Sequence, residues 1–162
     1  MGRSRTAVLK TIYVTQFEQA FNGATQLFLD TAPAIYYIER NSSYFAIVQR
    51  IFQGVQNNTF QAVTSPITLS ECLILPTRQG LLALQQEFNA AIVNGENTIL
   101  QSIDAVIGRK AAELRVKYNL KLPDALQVGT AIVAGCYVFL TNDSALKRVQ
   151  ELRVVVIGDL VI

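Results

Sequence analysis

The chain has 162 residues, 51% of them hydrophobic and 16% charged, a balance that supports one buried core and excludes a disordered chain. Its net charge of +2, from 14 Lys and Arg against 12 Asp and Glu, is too weak by itself to imply a nucleic-acid partner. Histidine is absent, which excludes Ser-His-Asp and Cys-His hydrolases and His-based zinc sites.

Residues Met1 to Ala24 have little periodicity and read as a flexible or loosely docked extension, or as an additional helix around Val14 to Phe21. The extension is therefore set at 1–25 and a single domain at 26–162. Gln26 to Leu29 is a short apolar strand that stops at Asp30. Ala34 to Glu39 is helical and is broken by Asn41-Ser42-Ser43. Tyr44, Ile47, Val48, Ile51, Phe52 and Val55 follow the i, i+3, i+4, i+7 pattern of an amphipathic helix. Phe60 to Val63 is a second strand. A helix then runs from Thr68 to Leu75, closed by Pro76. Gly80 to Val93 is another helix, Thr98 to Ile103 a strand, and Asp104 caps a helix that reaches Tyr118. Leu122-Pro123-Asp124 opens a helix that stops at Gly135. Tyr137 to Leu140 is a strand, Ser144 to Glu151 a helix, and Val154 to Ile157 the last strand.

Short apolar strands alternating with helices predict an α/β fold, a three-layer α/β/α sandwich around a mainly parallel sheet. The longest nearly apolar stretch, Val128 to Leu140, is shorter than the roughly 20 residues of a membrane span. Gln16, Glu18 and Gln19 interrupt the apolar region that a signal peptide would need after Arg3 and Arg5. Cys72 and Cys136 lie far apart without a CxxC pair, as small buried hydrophobes do in a reducing compartment. The expectation is a soluble cytoplasmic protein.

In parallel sheets, ligands bind outside the carboxyl ends of the strands. Asp30 follows the first strand, Glu71 lies in the helix after the second, Asp124 opens its helix, and Asp143 follows Val138-Phe139-Leu140. Each acid taken alone has a plain structural role, as a turn residue, a helix cap or a solvated helical residue. Together, four carboxylates in a chain poor in charge suit a hard cation, Mg²⁺ or alternatively Mn²⁺. Such an ion activates water and neutralises charge on a phosphoryl group, which is the chemistry of phosphodiester hydrolysis. No GxxxxGK[ST], GxGxxG or GxSxG string occurs, and Ala32 stands where a haloacid-dehalogenase phosphatase needs its second Asp.

The run Asp30-Thr31-Ala32 with Ile35, Tyr36, Tyr37, Ile38 and Glu39 resembles the opening "LDTxxxIYxxE" of PIN-domain nucleases. Thr64 to Glu71 is similar to their second acidic motif. Leu122-Pro123-Asp124-Ala125-Leu126 and Phe139-Leu140-Thr141-Asn142-Asp143 are similar to the third and fourth, so the likeness runs from Leu27 to Ile162. It implies a PIN-like fold over 26–162 and a VapC-like toxin of a toxin–antitoxin pair: a Mg²⁺-dependent endoribonuclease, dimeric and held inactive by its antitoxin. By position, Asp30, Glu71, Asp124 and Asp143 map to the acidic metal and catalytic site, and Thr31, Thr141 and Asn142 to supporting polar neighbours. Two departures are visible: the residues before Leu27 are extra, and Gln127 stands where many members carry His, which affects substrate contacts but leaves the acids intact.

Arg109, Lys110, Arg115, Lys117 and Lys121 face the single acid Glu113 over a short stretch. They read either as the wet face of a helix or as an edge that tracks RNA phosphates. Tyr118 is expected to pack on the core rather than to stack on a base. Lys147, Arg148 and Arg153 form a smaller cluster near Asp143. Two alternatives to the ribonuclease are a catalytically silent PIN-like module that binds RNA or protein, and a DNA-directed nuclease.

Overall fold

The computed structural model describes residues 16–160. Its strands are short apolar runs: Gln26–Leu29 (β1), Gln61–Thr64 (β2), Thr98–Leu100 (β3), Val138–Thr141 (β4) and Arg153–Val156 (β5). They form one sheet in the order β3-β2-β1-β4-β5, and every pairing is parallel. The order reverses between β1 and β4. The helices are Thr31–Ile38 (α1), Phe45–Gln56 (α2), Pro66–Arg78 (α3), Leu82–Ile92 (α4), Ala105–Tyr118 (α5) and Leu122–Val133 (α6).

Side chains alternate across the strands, so one run of sequence feeds two cores. Leu27, Leu29, Ala62, Val138 and Leu140 join Ile47, Val48 and Ile51 of α2 on one face. Phe28, Val63 and Phe139 meet Ala111, Leu114 and Val128 of α5 and α6 on the other. There the rings of Phe28 and Phe139 stack with centroids 5.1 Å apart. Gly129 lets α5 and α6 touch, since a Cβ there would lie 3.3 Å from the Ala111 backbone nitrogen. A smaller cluster of Ala34, Cys72, Phe88 and Ile92 joins α1, α3 and α4. The result is the expected three-layer sandwich, with a sheet that is wholly rather than mainly parallel.

Several boundaries differ from expectation. α3 begins at Pro66, because Ser65 caps it by accepting from the Ile67 N–H at 3.1 Å and proline suits the first helical position. Pro76 does not close the helix. Two residues follow it in the last turn, so it removes one bond near an end that frays anyway. The Ser144–Glu151 helix shrinks to a 3₁₀ turn, Ser144–Arg148, because Leu146 is its one buried residue and Val149 is already extended.

Residues 16–25 correct the picture of a loose extension, whose first part, 1–15, lies outside the described residues. Positions 16–21 are helical, and Phe17, Phe21 and Ala24 are buried in the α2-side core. Phe21 meets Phe60 at 5.5 Å, the Arg50 guanidinium lies over the Phe17 ring at 4.0 Å, and Arg153 donates to the Ala20 and Asn22 carbonyls at 3.1 and 3.0 Å. Among the described residues no helix is long and apolar enough to cross a membrane.

Candidate active site

Parallel strands put all their carboxyl ends on one side, and the reversal of strand order opens a crevice between β1 and β4. Asp30 leaves β1 there. Its backbone N–H donates to the Leu140 carbonyl of β4 at 3.0 Å, and its carboxylate accepts from the Thr31 N–H at 2.8 Å as the cap of α1. The Thr141 hydroxyl donates to the second carboxylate oxygen at 2.7 Å and accepts from the Asp143 N–H at 3.0 Å. One buried hydroxyl thus ties Asp30 to the backbone of Asp143. Asp143 in turn caps the 3₁₀ turn through the Ala145 N–H, 2.9 Å away. The cap roles read from sequence hold for Asp30 and Asp143.

Glu71 reaches the site from the second turn of α3, where the Thr31 hydroxyl donates to it at 2.6 Å. Asp124 lies in the first turn of α6. Asp30 and Asp124 both respond to neighbouring acids. Burial pushes the Asp30 carboxyl above its usual range, hydrogen bonds from Thr141, Thr31 and Gln127 offset part of that, and the Glu71 charge adds to it. Burial raises Asp124 as well, helped by the charges of Asp143 and Glu71 and opposed by those of Lys121 and Arg148. Among the described residues none of the four acids is in an ion pair.

Beneath Asp30 lies a buried polar network that the sequence reading missed. Gln127, 2% exposed, donates to the Thr68 hydroxyl at 2.6 Å and to Asp30 at 3.4 Å, and accepts from the Ser65 hydroxyl. Thr64 and Thr68 both donate to the Leu29 carbonyl, at 3.3 and 3.2 Å. Its burial corrects the expectation for Gln127, which touches the acid rather than a substrate. The legible signal was its spacing, three residues after Asp124 on the same helical face. Asn142 stands apart from the acids: its amide donates to the Tyr36 hydroxyl at 2.9 Å and its oxygen accepts from the Gly158 N–H at 2.9 Å.

The basic residues of α5 are mostly engaged elsewhere. Lys110 pairs with Glu113 at 2.6 Å and Lys117 with Glu151 at 2.8 Å. Arg115 donates to the Leu120 carbonyl at the helix end, and Tyr118 donates to Glu151 at 2.7 Å while packing on the core. Arg109 is exposed.

Carboxylates and hydroxyls are hard oxygen donors, the chemistry that suits a divalent cation such as Mg²⁺. Among the described residues no three His, Cys, Asp or Glu side chains lie together as a ready ligand group.

No curated protein matches the sequence significantly. Among solved structures, VapBC2 from Rickettsia felis bound to a promoter DNA fragment matches with a TM-score of 0.63 at 17% identity, covering 81% of this chain and 98% of that one. A toxin–antitoxin complex from Klebsiella pneumoniae matches with a TM-score of 0.61 at 21% identity, covering 82% and 98%. DNA-bound VapBC from Salmonella typhimurium matches with a TM-score of 0.58 at 20% identity, with the same coverage. These likenesses are of fold. The PIN-domain family model matches residues 27–152, which span both the crevice and all four acids, and the chain belongs to the PIN-domain family.

Proposed function

We propose that this protein is a VapC-like endoribonuclease toxin that hydrolyses RNA phosphodiester bonds at Asp30, Glu71, Asp124 and Asp143. What supports this reading is that Thr31 links Asp30 to Glu71, Thr141 links Asp30 to the Asp143 backbone, and Glu71 and Asp143 both act on Asp124, with none of the four in an ion pair among the described residues. Asp30, Asp124 and Asp143 would hold a Mg²⁺ or Mn²⁺ ion, with Glu71 completing the set. When bound, such an ion supplies a water of lowered pKa and neutralises charge developing on the phosphoryl group.

The chain's own part is to hold the acids ready. Thr141 and Gln127 fix the Asp30 carboxylate, and Thr31 fixes Glu71. Fixed donors and acceptors of this kind lower the reorganisation that the reaction requires. The structural neighbours are toxin–antitoxin complexes, and the proposal extends to a cognate antitoxin, a homodimer and a cytoplasmic setting.

Cleavage of structured RNA in Mg²⁺, compared with EDTA and with Asp30→Asn, tests this. Divalent-dependent cleavage is expected for the wild type. Asp30→Asn should be slower by about a thousandfold or more, as the loss of several kcal/mol of charge stabilisation implies. Equal cleavage by the two proteins overturns the assignment. The absence of a ready three-residue ligand group among the described residues favours the second reading, a silent binding module, which would bind RNA and leave it intact with or without the ion. Activity on single-stranded DNA but not RNA would make the protein a DNA nuclease.

A further inference from the structure

The described cations differ in what they touch. Lys110, Lys117 and Lys147 are ion-paired with Glu113, Glu151 and Asp159. Arg115 and Arg153 bond backbone carbonyls, and Arg40 and Arg50 lie over aromatic rings. Arg78, Arg109, Lys121 and Arg148 are exposed, and among the described residues none of the four is in an ion pair; of these, Lys121 and Arg148 lie closest along the chain to an acid of the site.

The fold sets them on two adjoining segments. Lys121 directly precedes α6, in whose first turn Asp124 sits. Arg148 ends the turn that Asp143 caps. The Arg148 guanidinium reaches the Asn119 carbonyl at 3.5 Å, which laces the approach to α6 to the exit of β4. Each segment therefore carries one acid of the site and one cation. Both cations lie within charge-interaction range of the Asp124 carboxylate.

We propose that Lys121 and Arg148 form a phosphate clamp at the edge of the acidic site, holding the backbone of a single-stranded polyribonucleotide beside Asp124 and Asp143. This rests on the nuclease reading and adds to it the residues that bring a polyanion to four carboxylates. Unaided, such an acidic surface repels its substrate. Two unpaired cations at its rim supply attraction and register through phosphate, while base edges are left unread. The clamp takes one cation from each of the two basic clusters read from sequence, Lys121 from the first and Arg148 from the second.

Anisotropy of a labelled single-stranded RNA oligonucleotide, titrated in EDTA over a range of salt, tests the clamp without cleavage. For Lys121→Gln/Arg148→Gln the slope of log K against log salt should be shallower by about 1.4, or about 0.7 per phosphate contact. That is about sevenfold less loss of affinity over a fourfold rise in salt. Arg109→Gln should keep the wild-type slope, and Lys121→Arg/Arg148→Lys should restore it. With Mg²⁺ present, the double neutralisation should raise KM and leave kcat near wild type. An unchanged slope, an equal change in Arg109→Gln, a loss confined to kcat, or no RNA binding by the wild type overturns the clamp. Wild-type protein that leaves RNA uncut in Mg²⁺ and Mn²⁺, yet shows the expected slopes, overturns the nuclease reading and keeps the clamp.

Discussion

Along α5, Lys110 lies 2.6 Å from Glu113 and Lys117 lies 2.8 Å from Glu151, while Asp30, Glu71, Asp124 and Asp143, near the carboxyl ends of the strands, are in no ion pair among the described residues. Both regions are rich in charge, yet the first has two of its lysines paired with acids and the second holds Asp30 and Asp124 against burial and the charge of neighbouring acids. Matched surface pairs contribute little, and replacing them changes little. Carboxylates held together at a cost to folding are the kind of strain that function retains.

The sharpest way to break this contrast is Asp30→Asn, read by stability as well as by cleavage. The folded-state pKa of Asp30 is raised from 3.8, so the native protein binds more protons than the unfolded chain in the window above that value. Stability then falls as pH rises through the window, and at neutral pH Asp30 is a net cost to folding. The substitution removes the charge and keeps the shape. The Thr141 hydroxyl, which now donates to Asp30, can turn to accept from the new amide. Without divalent ions the variant should melt higher than wild type at pH 7, and the gap should close as pH falls toward about 4. A variant that melts lower at pH 7 would mean that the site is not strained.

A smaller effect is expected at Gln127→Leu, which keeps the buried volume but removes the donor to Asp30 and the partner of Ser65 and Thr68. One orphaned buried hydroxyl costs about 1–3 kcal/mol of stability. The hydrogen bond to Asp30 is long, so cleavage should fall by about tenfold, the low end for a bond to a charged group. The loss should appear in kcat with KM unchanged, because Gln127 is too deeply buried to meet RNA. A rise in KM alone would place Gln127 in substrate binding after all.

Much of the fold was legible because strand and helix periods differ and both cores lie on regular elements. The α2 stripe of Ile47, Val48, Ile51 and Val55 was read from spacing and is buried as a stripe. The buried helix at 16–21 was harder to read, since Phe17 and Phe21 make one turn of pattern and their partner Phe60 lies far along the chain. The four acids could be located because strand ends are visible in sequence. That Thr141 would bridge two of them, or that Gln127 would sit beneath one, depends on strand order, which local pattern does not encode. The same limit applies to the cations: Lys117 reads as free until the fold brings Glu151 to it.

Glu151→Gln probes the matched region and should have the smallest effect. Partial burial alone would raise the Glu151 carboxyl, but hydrogen bonds from Lys117 and Tyr118 outweigh it and lower it from 4.5 to about 2. A depressed folded-state pKa stabilises the protein fully above the unfolded value, and that contribution fades as pH falls from about 4.5 toward 2. Both partners face solvent, so screening keeps the pair's contribution small at neutral pH and smaller still in high salt. The variant should therefore melt slightly below wild type at pH 7 and level with it near pH 2, with RNA cleavage unchanged. A clear loss of cleavage would show that the α5 face takes part in the reaction, and the division between matched and unmatched charge would have to be redrawn.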